Sequence, residues 1–466
     1  MNKKIFIIPC ILLGLALWII GGPQEVERNA WHVLSVFLAV ILSFVLRPYP
    51  IGMSVIIGLI ILVVSNTITM TQALTGFGDS TVWLVIAAFL LAGAILNTGL
   101  GIRIALNLVV KLGRSIRGLA YAICGSEIVL ATVVPSNTAR GGGIHAPIVD
   151  SLSRSLESTP KKNPDRAGSF LSLVGGHANL IAASMFMTGM AANPLVSKAA
   201  KDVFNIDFTW GTWALGAIVP GLLSMAILPQ LIYALSRPNI TDVSKARKDA
   251  LQRLDQLGPM SRPEKVMSGV LLLMLLLWST QFLHGLSTTI VAWVGIGVLL
   301  VSEAQSWDQI IKNHRAWDAL VWLGGLLTMA NLLLEFGFID WFVQSASLYV
   351  DHLPGLGLTL VLALIYFYSM YAFSMLTAHI AAMAVPFFVV CLSAGSPPLV
   401  TIALFAYFSC LCGCTTNYSS GPVIIYFGLG YVRAPKWFKI GFVVSLFHIV
   451  TWTVIGLIWW KIIGWW

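Results

Sequence analysis

The feature that most limits what this chain can fold into is the recurrence, along nearly its whole length, of apolar runs that match the roughly 20 residues a helix needs to cross a bilayer. They fall near 5–22, 31–46, 51–66, 81–98, 118–149, 167–191, 210–236, 266–283, 287–302, 319–336, 357–395, 400–431 and 438–463. Of 466 residues, 58% are hydrophobic and only 10% charged, at a mean hydropathy of +0.86. A soluble domain could not cover that much apolar surface with so few charges, so lipid is the solvent. The N-terminal stretch is shaped like a signal peptide, but Gly21-Gly22-Pro23-Gln24 lacks a small-x-small cleavage site, and residues 5–22 read as a retained helix.

Two of the runs, 118–149 and 357–395, are too long for one crossing and carry small polar residues in their middle. These are Pro135-Ser136-Asn137-Thr138-Ala139-Arg140-Gly141-Gly142-Gly143 in the first and Ser374-Met375-Leu376-Thr377-Ala378-His379 in the second. Non-helical backbone survives at membrane depth only when buried in protein or facing a watery cavity, so both runs read as re-entrant hairpins. Charge placement agrees. With Lys3 and Lys4 inside, the basic residues 103–117, 154–166, 237–265, 312–315 and 433–439 all fall inside if the hairpins open on opposite faces, and the C-terminus ends outside. The net charge of +9 is thus a footprint of topology and implies no nucleic-acid partner.

The expected fold is therefore an all-α membrane protein of about 11 transmembrane helices plus two opposed re-entrant hairpins. An inverted repeat is expected, because Val82-Trp83-Leu84 opens a span before the first hairpin as Val321-Trp322-Leu323 does before the second, and these spans end near Gly99 and Gly337. The parts are an N-terminal helix 1–30, a first repeat 31–236, a cytoplasmic linker 237–265 and a second repeat 266–466. Broken spans are expected after each hairpin, at Gly175-Gly176-His177-Ala178-Asn179 and at 412–422.

The hairpin tips carry the candidate chemistry. Ser136, Asn137 and Thr138 offer hydroxyl and amide donors, and backbone N–H groups freed at a helix start favour an anion such as a carboxylate. Arg140 inside an apolar run needs a partner: a ligand carboxylate held bidentately, a structural pair with Glu127, or a snorkelled position. His379 falls at the second tip, as a substrate contact or a hydrogen-bonded core residue. Thr377, Asn179, Ser184, Thr416, Asn417, Ser419 and Ser420 supply neutral donors, although Ser and Thr in membrane helices often bond their own backbone. His145 and His448 read as structural. Six cysteines lie in or near apolar runs, and the alternation of Cys410, Cys412 and Cys414 is not a usual zinc spacing, so neither a metal nor a cofactor is expected.

Four motifs, Val134-Pro-Ser-Asn-Thr-Ala-Arg-Gly-Gly-Gly, Ala191-Ala-Asn-Pro-Leu, Leu376-Thr-Ala-His-Ile-Ala-Ala-Met and Gly421-Pro-Val-Ile-Ile-Tyr-Phe-Gly-Leu-Gly-Tyr-Val, appear in that order. With them the chain closely resembles the citrate/succinate and 2-oxoglutarate/malate translocator branch of the divalent anion:sodium symporter family. The resemblance implies a homodimer in a bacterial inner membrane whose transport domain moves like an elevator against a scaffold. It also implies a substrate site of Ser136, Asn137, Thr138, Arg140, Asn179, Thr377, His379, Ser419, Ser420, Gly421 and Pro422. In sodium-coupled relatives both tips read Ser-Asn-Thr. Here the second reads Thr377-Ala378-His379, so Thr132, Ser136, Asn137 and Ala178 are expected to form either a cation site or the remnant of one. Fixed charges at Arg140 and His379 would then compensate a dianion in place of sodium, which makes exchange of di- or tricarboxylates the expected activity and a sodium- or proton-coupled symporter the alternative. An intramembrane enzyme lacks a His-Glu-x-x-His signature or cofactor motif, and a channel would not need two opposed hairpins.

Overall fold

The computed structural model describes residues 6–350 and 355–466; Lys3 and Lys4, from which the charge count starts, lie outside them, and the stretch 337–356 is described in part. After α1 (Ile7–Ile20) come α2 (Arg28–Leu46), α3 (Ile51–Val64), the short α4 (Met70–Leu74), α5 (Ser80–Thr98) and α6 (Leu100–Leu112). The first hairpin follows as α7 (Ile116–Ala131), a non-helical tip, a wide π-type turn at Thr138–His145 and α8 (Ala146–Ser155). Next come α9 (Gly168–Met185), α10 (Asn193–Phe204), α11 (Trp210–Leu235) and the linker helix α12 (Ser244–Gln256).

The same element order then recurs: α13 (Arg262–Ser279) with the single turn α14 (Gln281–His284), α15 (Thr288–Val301), the short α16 (Trp307–Ile311), α17 (His314–Glu335) and α18 (Phe338–Val350). The second hairpin is α19 (Gly355–Ser369) and α20 (Leu376–Ser393), followed by α21 (Pro398–Leu411), α22 (Gly421–Gly428), α23 (Ala434–Val450) and α24 (Gly456–Ile462). The correspondence extends to the corners. Gly99 ends α5 and Gly337 follows α17, each with φ above 70° (78° and 73°), a conformation in which a side chain would be strained.

Among the described residues eight helices are long and apolar enough to cross a membrane, and α1, α3 and α15 are shorter apolar helices. Ile20, Val64, Leu272, Phe282 and Val301 point outward with 60% or more of their surface exposed, Val301 with 90%, as suits a lipid-facing belt. Helices α2, α3 and α17 share one apolar cluster, which also takes in Ala378 of the second hairpin. The other, larger cluster surrounds α9, which is buried along its entire length.

Segments assigned by charge to the inner face do meet one another. Lys436 Nζ lies 2.7 Å from Asp165 Oδ1, the Asn239 N–H donates to the Asp165 carbonyl at 3.2 Å, and Tyr431 donates to Asp150 at 2.8 Å. The linker lies against α6, with Arg247 donating to the Val110 carbonyl at 2.8 Å and Arg103 to the Gly258 carbonyl at 2.8 Å. Such contacts are what the re-entrant reading of the first hairpin demands.

Candidate functional site

The two hairpin tips meet at one stretch of unwound backbone. Helix α21 stops at Leu411, a tight turn covers Cys412–Thr415, and helix resumes only at Gly421, with Pro422 in its first turn. From one side, Thr138 of the first tip packs onto Gly421 so closely that a Cβ there would collide with its hydroxyl. Gly141 is held as tightly, since a Cβ there would come within 2.6 Å of the Asn179 amide and 2.9 Å of Pro422. From the other side, the Leu376 N–H at the start of α20 donates to the Ser419 carbonyl at 2.9 Å, which seats the second tip beside Thr377.

Several polar atoms at this junction are buried and have no protein partner among the described residues: Asn179 Oδ1, Thr416 Oγ1, Ser420 Oγ and Ser374 Oγ. Buried polar atoms are normally satisfied, so an unpartnered group here is available to a ligand. Ser136 and Ser420 are 4% and 6% exposed and Ser419 is fully covered, so the junction is closed as it stands. Arg47, at the end of α2, reaches the second tip and donates to the Ser374 carbonyl at 3.1 Å.

The first broken span differs from expectation. Residues Gly175 to Asn179 are continuous helix within α9, and the interruption lies ten residues later, between Met185 and Asn193. Asn193 decides its place: its amide donates to the Ala183 and Phe186 carbonyls at 2.9 and 3.0 Å, satisfying groups left open where α9 ends. The loop so formed holds the first tip, Thr188 donating to the Thr132 carbonyl at 2.9 Å and Arg140 Nη1 to the Gly189 carbonyl at 3.1 Å. Thr188 and Gly189 were not among the expected site residues; the signal for them was a Thr-Gly and an Asn-Pro inside an otherwise apolar run.

Of the open readings for Arg140, the structure contains the pair with Glu127. Arg140 Nε is 2.6 Å from Glu127 Oε2, and both side chains have no exposed surface. Arg140 Nη1 also donates to the Val134 carbonyl at 2.9 Å, while Nη2 has no partner among the described residues. Asn179 joins this pair to the tip, its amide donating to both Glu127 oxygens at 3.1 Å and to the Asn137 carbonyl at 3.2 Å. His145 completes the cluster, with Nδ1 3.1 Å from Glu127 Oε1 and Nε2 2.7 Å from Ser126 Oγ. His145, expected to be structural, is bonded directly to the charged pair.

His379 is turned into its own hairpin. Its Nε2 lies 2.9 Å from the Tyr366 carbonyl and 2.8 Å from Ser369 Oγ on the opposite arm, with the Tyr366 and Phe373 rings against it at 4.3 and 5.1 Å. Arg140 and His379 share no hydrogen-bonding partner in the protein, and Arg140 Nη2 and His379 Nδ1 are both buried without a partner among the described residues. Ala178 is buried on α9, and His177 stacks on Trp437 at 6.0 Å, away from the tips' hydrogen bonds. All six cysteines are buried and unpaired, and no group of His, Cys, Asp or Glu among the described residues could hold a metal.

Three backbone oxygens of the first tip already take part in hydrogen bonds within the protein: the carbonyls of Thr132, Val134 and Asn137 accept from Thr188, Arg140 and Asn179. A guanidinium, itself a cation, bridges the tip to the α9–α10 loop.

The sequence pattern of the family described as "Sodium:sulfate symporter transmembrane region" matches residues 2–466. This chain belongs to the divalent anion:sodium symporter family. Within it, the chain is 40% identical to YflS of Bacillus subtilis (strain 168), named as a proposed malate transporter, over 100% of this chain and 97% of that one. It is 38% identical to chloroplastic dicarboxylate transporter 1 of Arabidopsis thaliana (98% of this chain, 82% of that one) and 32% identical to the inner membrane protein YbhI of Escherichia coli (100% and 99%). The fold is similar to the crystal structure of the YdaH transporter of Alcanivorax borkumensis, with a TM-score of 0.58 at 13% identity over 100% of this chain and 99% of the other.

Proposed function

We propose that the protein exchanges di- or tricarboxylates across a bacterial inner membrane, by antiport that does not use a sodium gradient. One observation carries the reading: two hairpin tips converge on a single unwound segment where Thr416, Ser420 and Asn179 present unpartnered polar atoms. Ser136, Asn137 and Thr138 bind one carboxylate through hydroxyls, amide and the N–H groups of the returning helix. Thr377, Ser419, Ser420, Gly421 and Pro422 take the other end, and Asn179 spans the two. Arg140 and His379 act by holding their hairpins in shape. The names of the relatives, malate and dicarboxylate transporters, support the substrate class.

Thr132, Ser136, Asn137 and Ala178 are then the remnant of a cation site whose oxygens have been taken over by protein donors. Because the junction is closed, a substrate enters only when a tip parts from Gly421 or Ser419. An empty, polar junction is hard to carry through lipid and a filled one easier, which favours exchange over net uptake. The working form in this reading is a homodimer, N-terminus in the cytoplasm and C-terminus outside, whose hairpin-bearing part travels like an elevator.

The test is counter-flow in sodium-free proteoliposomes. Labelled succinate or malate should accumulate only when the vesicles hold unlabelled dicarboxylate. A sodium- or proton-coupled symporter, the second reading favoured by the retained Ser136-Asn137-Thr138, would accumulate label into empty vesicles once the ion gradient is applied, and that result overturns exchange.

A further inference from the structure

Because Glu127 cancels the charge of Arg140, the pair brings no net positive charge to a dianion bound at the first tip. The third member of the cluster can. We propose that His145 is a proton-binding site coupled to carboxylate binding, Ser126 being the group that lets it accept the proton.

The argument is one of hydrogen-bond accounting. His145 Nδ1 faces the Arg140 carbonyl at 3.0 Å and Glu127 Oε1 at 3.1 Å, both acceptors only, so Nδ1 carries hydrogen in every state. His145 Nε2 faces Ser126 Oγ at 2.7 Å, and that same hydroxyl lies 3.0 Å from the Ile123 carbonyl. Ser126 has one hydrogen to give. When it goes to Nε2 the ring is neutral. When a proton binds Nε2, the hydroxyl turns its hydrogen to the Ile123 carbonyl and accepts from the ring instead. Every polar atom of the histidine is partnered in both states, and no heavy atom has to move.

The proton adds one positive charge to a neutral, wholly buried pair, where a charge acts over a longer distance than in water. Asn179 ties this cluster to the Asn137 carbonyl, so the charge sits directly behind the proposed carboxylate site. Other ionisable groups on the helices packed around the π-type turn are engaged elsewhere or uncharged. Helix α5 has none. On α6, Arg103 pairs with Glu264 and Lys111 is exposed; on α8, Asp150 pairs with Arg154. On α7, Arg117 lies over the Tyr233 ring, Tyr121 donates to the Ala226 carbonyl and Cys124 is buried. His177 on α9 stacks on Trp437, and Tyr426 on α22 is a buried phenol. Among the described residues, only Glu127 and Arg140 bear charge against His145.

The inference rests on the proposed carboxylate site, and linkage gives its sign: a ligand that prefers the protonated ring raises its hold on the proton, so binding takes protons up and weakens as pH rises. Succinate binding to the detergent-solubilised protein, followed by calorimetry in buffers of different ionisation enthalpy between about pH 6 and 8, reads the proton directly. The wild type should take up protons on binding, and its Kd should rise with pH by up to about tenfold per unit. His145→Gln and Ser126→Ala should each bind more weakly at low pH, with proton uptake and pH slope both reduced. Ser126→Ala is the milder change and tests the idea even if His145→Gln fails to fold. Binding without proton uptake in the wild type, or uptake unchanged in both variants, overturns the proton site and leaves the carboxylate reading intact. No succinate binding by the folded wild type overturns both.

Discussion

Arg140 Nε and Glu127 Oε2 stand 2.6 Å apart on the two arms of one hairpin, and neither side chain has surface in contact with solvent or lipid. The pair clamps the first hairpin from inside. Removing one partner leaves an uncompensated charge in a low-dielectric interior, which costs about 3–5 kcal/mol. Arg140→Ala and Glu127→Ala should therefore each lower the melting temperature of the solubilised protein sharply, while Arg140→Gln with Glu127→Gln recovers much of the loss. Single variants that melt like the wild type would show that the pair does not clamp the arms.

Ser420 offers a buried hydroxyl that no group among the described residues uses. Losing a hydrogen bond to a charged ligand group costs about 1.5–3 kcal/mol. Ser420→Ala should accordingly raise the half-saturating succinate concentration by roughly tenfold or more in counter-flow, with the melting temperature unchanged. An unaltered affinity would remove Ser420 from the site.

His379 joins the arms of the second hairpin through the Tyr366 carbonyl and Ser369. A side chain that keeps a donor should serve where one without a donor fails. His379→Gln should retain more exchange activity than His379→Leu, and the succinate affinity of whatever activity remains should stay near wild type. A large affinity change in His379→Gln would instead argue for direct contact with substrate.

Asp165 is held below the usual carboxylate range, first by the hydrogen bond from Lys436, with partial burial pulling the other way. A depressed folded-state value means stability that is present above the unfolded value, near pH 4, and is lost as pH falls through the folded one. Lys436→Gln should lower stability near neutral pH by less than about 1 kcal/mol, because the pair is exposed, and the difference from wild type should vanish in acid. Melting curves at the two pH values check it.

Much of this architecture could be read from residue order. Apolar length gave the spans, mid-run polar residues gave both hairpins, and Gly99 and Gly337 marked matching corners. The break after the first hairpin was misplaced because Gly175-Gly176 looks like an interruption, whereas there the glycines make room for Tyr426 and Trp437 inside an intact helix. The break that exists depends on Asn193 folding back onto carbonyls of α9, a contact no local pattern encodes. Likewise, Arg140 and His379 were recognisable as unusual in lipid, but which way each side chain turns depends on partners 13 positions away in both cases.

The unwound stretch between Leu411 and Gly421 has a consequence for how such a protein could be divided. It belongs to the second half of the chain, yet it seats the tip from the first half as well as its own. Expressed as two separate pieces cut within the 237–265 linker, neither fragment would possess a complete docking seat, and activity should return only when both are made in the same cell and find one another.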